Sequence, residues 1–162
     1  MSGLARPSGA ASVIVFATLL GACANWAGDP AITACPPAQI AAPADRIGFN
    51  DGDGELRFVA TMDALASDCR QDDDDIEVDM AFTMSAERGP GLEEGPVRLT
   101  YFLATVDPKR EIVDKQLLDV ELDFEPDQPV STVREAVTIR LPASTDASGA
   151  NYSLYLGFQL DS

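Results

Sequence analysis

Apolar and polar residues alternate along most of the chain after residue 55. Ile76, Val78, Met80, Phe82 and Met84 are separated by Glu77, Asp79, Ala81 and Thr83, the period of two that buries one face of a β-strand. Val120, Leu122 and Phe124 alternate with Glu121, Asp123 and Glu125, and Tyr152, Leu154, Leu156, Phe158 and Leu160 with Ser153, Tyr155, Gly157 and Gln159. Leu56, Phe58, Ala60 and Met62 repeat the pattern less cleanly. Val97 to Val106 is mostly apolar on both faces, which predicts a central strand. Val130 to Leu141 carries Val133, Val137, Ile139 and Leu141, so a bulge is expected around Glu135–Ala136.

Turn chemistry separates these runs: Asn50 to Gly54, Asp72 to Asp75, Gly89-Pro90-Gly91 with Gly95-Pro96, Asp107-Pro108, Pro126 to Pro129, and Ser144 to Gly149. No window sustains a helical period, so helix should be minor. Six strands, with a seventh near Ile47–Phe49, predict an all-β, antiparallel two-sheet sandwich of about six to seven strands over residues 47–162. Phe58, Phe82, Tyr101, Phe102, Phe124, Tyr152 and Phe158 are its expected core anchors. Every acid that can be assigned to a strand is expected on the solvent side.

The N-terminus has a different character. Arg6 is followed by the apolar run Val13 to Leu20 and then Gly21-Ala22-Cys23, the three-part layout of an export signal. Eight strongly apolar residues are too few to span a bilayer, which takes about 20; a lenient count from Ala10 to Gly28 leaves an uncleaved anchor as the alternative. Leu20-Gly21-Ala22-Cys23 resembles the lipobox of bacterial lipoproteins. That resemblance implies cleavage before Cys23, a diacylglycerol thioether on its sulfur, and an acylated, palmitate-type N-terminus that holds the protein to a membrane. Ala24 stands where Asp would imply inner-membrane retention, so the resemblance implies an outer-membrane lipoprotein facing the periplasm. Two or more acyl chains, at about 0.8 kcal/mol per buried methylene, give stable anchoring.

Residues 1–22 thus read as signal peptide and 23–46 as lipidated cysteine and tether, stiffened by Pro30, Pro36, Pro37 and Pro43. Trp26, the single tryptophan, is expected at the membrane interface. With Cys23 taken by lipid, Cys35 and Cys69 remain as an even pair in an oxidising compartment and are expected to form one structural disulfide.

The chain has 162 residues, 11 Lys+Arg, 27 Asp+Glu and no His. The net charge of −16 excludes a nucleic-acid partner, since phosphate binding needs a basic footprint. Removing residues 1–22 takes away one Arg and no acid, so the mature charge is 10 − 27 = −17, and no membrane contact beyond the lipid is expected. Without His, the usual histidine-based catalytic pairs and zinc sites are excluded.

Asn50-Asp51-Gly52-Asp53-Gly54-Glu55 looks like a calcium loop, but counted from Asp51 the sixth residue is Leu56 and the twelfth Met62, so the EF-hand pattern fails. Asp72–Asp75 is expected to be a solvated loop that divalent ions screen without binding stoichiometrically. No phosphate loop, nucleophile elbow or metal-ligand spacing is present. The expected site list is therefore short: lipidation at Cys23, a disulfide between Cys35 and Cys69, and no catalytic, cofactor or metal residues. Strand number and loop length resemble immunoglobulin or fibronectin type III domains in architecture only. The lipobox with Tyr101–Val106 and Gly157-Phe158-Gln159-Leu160 resembles small proteobacterial envelope lipoproteins. A binding or structural module of the cell envelope, with an envelope protein as possible partner, is the expected function. The alternatives are a carboxylate-lined ligand-binding or hydrolase subunit and an accessory factor of an envelope machine acting by strand addition.

Overall fold

The computed structural model describes residues 35–72, 75–92, 95–143 and 151–159. Cys23, Trp26, the leader and most of the tether lie outside them, as do Asp73, Asp74 and the Ser144–Gly149 turn.

Eight strands follow in order: β1 Ala38–Ile40, β2 Arg46–Asn50, β3 Leu56–Asp72, β4 Asp75–Arg88, β5 Gly95–Val106, β6 Ile112–Phe124, β7 Val130–Pro142 and β8 Ser153–Phe158. They form two four-stranded sheets, sheet A in the order β1-β8-β5-β6 and sheet B in the order β2-β3-β4-β7. All neighbours are antiparallel except β1, which lies parallel to β8. No α-helix occurs among the described residues. The fold is the expected sandwich, with one strand more. Its connectivity is its own: β3–β4 and β5–β6 are consecutive hairpins within their sheets, whereas an immunoglobulin domain orders its four-stranded sheet A-B-E-D.

The alternation decides what is buried. Ile76, Val78, Met80, Phe82, Met84 and Ala86 of β4 meet Val97, Leu99, Tyr101 and Leu103 of β5 and Leu154, Leu156 and Phe158 of β8 in one core. Phe82 and Tyr101 touch edge to face across the sheets, with centroids 5.4 Å apart, a geometry that aromatic quadrupoles favour. Burial pushes the Tyr101 phenol up to about 12, and the charge of Glu135 adds to the shift.

Several details depart from the pattern-based expectation, among them Phe102, an expected core anchor that lies half-buried on the outer face of sheet A, outside the core. Part of the expected tether is folded: residues 38–40 form β1, and Pro36 and Ala44 are buried. The 41–45 turn docks on β8, with the Phe158 amide donating to the Ala44 carbonyl at 2.7 Å. A Cβ on Gly157 would lie 2.7 Å from that of Ala44, so glycine is what lets this turn close. The expected bulge in β7 is absent, because β4 and β7 stay in register from Asp75↔Pro142 to Glu87↔Val130. Simple alternation then sets Glu135 in the inward row between Val133 and Val137, half-buried at the sheet edge. Register shifts lie elsewhere: in β3 between Asp63 and Ala66, where Ala64 takes a φ of 52°, at Phe49/Asn50 of β2, and at the start of β6, where Thr105 pairs with Asp114 and Val106 with Ile112.

Candidate interaction edge

β5 and β6 are joined by Asp107-Pro108-Lys109-Arg110-Glu111. Asp107 Oδ1 accepts the amides of Lys109 and Glu111, each at 2.9 Å, while the Arg110 amide donates to the Asp107 carbonyl at 3.0 Å. This side-chain-to-backbone turn is what aspartate at a loop start favours. It launches β6 as the last strand of sheet A.

The two halves of β6 differ. Val120, Leu122 and Phe124 are buried in alternation, but from Ile112 to Leu117 every residue is exposed. Ile112 is 64%, Val113 55% and Leu117 57% accessible. Among the described residues no strand lies on the far side of β6, so alternate backbone amides and carbonyls face outward. From Ile112 to Leu118 the charges are one Asp and one Lys, Asp114 and Lys115, so the segment is neutral within a chain of net charge −16.

Cross-strand contacts hold the outward row in place. Lys115 donates from Nζ to Gln159 Oε1 at 3.0 Å and sits 5.0 Å above the Phe102 ring. Thr100 donates to Asp119 Oδ1 at 2.7 Å. On the inner side, β6 and β7 diverge around an open cleft of about 460 Å³. Its apolar floor is Ile139 and Leu141, and Asp114, Gln116, Arg140 and Tyr152 line it.

The densest charge network lies on the outer face of sheet B. Arg70, Glu77 and Arg140 stand in one cross-strand row. Arg70 pairs with Glu77 Oε1, and Arg140 Nη2 reaches Glu77 Oε2 at 2.9 Å. Glu77 is only 6% accessible, so the expectation that strand acids are solvated fails here and at Glu135. Two cross-strand arginines cover Glu77. Asp79, next in the outward row, accepts a hydrogen bond from Thr138 Oγ1 at 2.6 Å and one from Arg70 Nη1 at 2.6 Å. The Thr138 bond, then the Arg70 bond, hold its carboxyl below the usual range. A carboxyl whose ionised form is favoured in this way is unsuited to general-acid work.

Cys35 and Cys69 are bonded, with their Cα atoms 5.8 Å apart. The bond ties the segment leading into β1 of sheet A to β3 of sheet B. Asp72 and Asp75 face each other in the β3–β4 register, and the two residues between them lie outside the described set. Among the described residues no three Cys, Asp or Glu side chains are grouped to hold a metal ion. Sequence reasoning missed the N-terminal half of β6. Its only signal was the pairs Ile112-Val113 and Leu117-Leu118, which break alternation. No protein-family model, curated protein or solved structure matches this chain.

Proposed function

We propose that this protein is a lipid-anchored module of the cell envelope, held through Cys23 to the periplasmic side of an outer membrane. Its sandwich works by protein–protein contact along the N-terminal half of β6. The observation that carries this reading is the neutral, unpaired edge on which Ile112, Val113 and Leu117 are all more than half exposed. Soluble proteins usually blunt such an edge with charge, proline or a covering loop, and an uncovered one is the surface that strand addition uses. The leader, with Leu20-Gly21-Ala22-Cys23, supports the anchor.

Two measurements test it. Cys23→Ser should accumulate as an uncut precursor that takes up no labelled fatty acid; continued processing and labelling would remove the anchor. A photoreactive residue at Leu117, in living envelope, should give a discrete crosslinked species, whereas one at Thr132, exposed on sheet B, should not.

A second reading, a ligand-binding subunit, is favoured by the cleft beneath Asp114 and Gln116. Saturable shifts of their resonances with a small cationic ligand or a glycan fragment would support it.

A further inference from the structure

Past the bulge at Val113, where the β5–β6 register shifts, the side chains of β6 on the outer face of sheet A are Lys115, Leu117, Asp119 and Glu121. We propose that β6 pairs antiparallel with β6 of a second copy of this chain, centred on Leu117, so that two A sheets join into one of eight strands (4 + 4). This rests on the reading of β6 as a contact edge and names its occupant.

Register carries the inference. A two-fold axis normal to the sheet sets like-facing residues opposite one another, and the residue on the axis opposes itself. Centred on Asp114 the pairing opposes two aspartates, and centred on Lys115 two lysines. Centred on Gln116 it sets Lys115 against Leu117, and centred on Leu118 it sets Leu117 against Asp119. Centred on Leu117, the exposed leucines meet, and Lys115 of each copy faces Asp119 of the other. That register therefore forms one apolar contact flanked by two opposite-charge pairs, the cross-strand combinations that stabilise antiparallel sheets. Among the described residues no strand covers this half of the edge.

Overall charge works against self-association, since each mature copy carries 10 − 27 = −17. The dimer should therefore strengthen as salt screens the repulsion. A basic peptide on the same edge would weaken with salt.

Engineered cysteines in the full chain, in membranes and under mild oxidation, test the register, with the parental chain as background. Leu117→Cys should give a disulfide-linked species of twice the mass, more of it at high salt. Lys115→Cys should give none with itself, because residues 115 of the two copies lie four positions apart, about 13 Å along the strand, beyond disulfide reach. Co-expressed Lys115→Cys and Asp119→Cys chains should join. Lys115→Asp placed in the Leu117→Cys chain should reduce crosslinking by at least about fivefold, and adding Asp119→Lys should restore it. Equal crosslinking at 115 and 117 would overturn the register. A monomeric Leu117→Cys chain whose position 117 photocrosslinks to a different protein would overturn self-pairing and leave the contact edge standing. No crosslink of either kind at 117 would overturn both.

Discussion

Arg110 occupies in the β5–β6 loop the position that Gly54 occupies in the β2–β3 loop. Both are left-handed, with φ of 69° and 86°, and both donate their amide to the carbonyl of an aspartate three residues earlier. In the twin loop Asp51 Oδ1 accepts the amides of Asp53 and Glu55, as Asp107 does those of Lys109 and Glu111. Left-handed backbone costs a non-glycine residue about 1 kcal/mol, part of which glycine returns as unfolded-state entropy. Arg110→Gly should therefore raise stability by about 0.5 kcal/mol, and Gly54→Ala should lower it by about 1 kcal/mol. Urea unfolding of the two variants checks both signs.

Glu77 should be the most costly acid on sheet B to remove. Its carboxylate is covered, while Arg70 and Arg140 keep more than half of their side-chain surface in water and can resolvate. Glu77→Ala should thus cost about 1–2 kcal/mol, short of the loss expected when a fully buried partner is stranded. A double-mutant cycle with Arg140→Ala should show coupling, and additive losses would refute the pairing.

Asp79 adds a pH dependence of known sign. Its folded pKa lies below the ordinary carboxylate value, so its contribution is complete above the unfolded value of about 4 and is lost as pH falls through the folded one. Asp79→Asn should flatten the acid limb of stability against pH. Thr138→Val should do so in part.

At the alkaline end Tyr101 acts in the same sense as a raised group. Its phenol is neutral in the folded state up to about 12, whereas the unfolded chain ionises near 10. Stability should hold below about pH 10 and decline between about 10 and 12. Tyr101→Phe should remove that decline, and phenolate absorbance should show one tyrosine titrating late.

Reduction of Cys35–Cys69 releases a link between residues 34 apart. In the chain-entropy description this should cost about 3–4 kcal/mol. Thiol titration of the oxidised mature protein should find neither cysteine free.

The sandwich was legible because most strands bury one face, and burial is what imposes alternation. The Val120–Phe124 and Ile76–Met84 runs are read directly from that signal. Where burial lapses, the signal lapses too: Ile112–Leu117 is exposed on both faces, so no alternation marks it as strand. The half of β3 beyond Met62 was hidden for another reason, since the Ala64 bulge shifts the inward row. β1 is three residues long in a proline-rich stretch, and only its pairing with β8, more than a hundred residues away, makes it a strand. The covered state of Glu77 depends on cross-strand arginines that no local pattern places. The cysteine pair was legible by elimination.

The Cys35–Cys69 bond also decides how the domain bears load. Any pull on the chain ahead of Cys35 passes through the sulfur atoms into β3 at Cys69, which is paired with Val78 in the long β3–β4 ladder that runs from Phe58 to Asp72. The three-residue β1, which would otherwise be peeled from β8 one hydrogen bond at a time, is bypassed. Under tension the oxidised domain must shear long strands before it opens. The reduced one would unzip from its weakest edge.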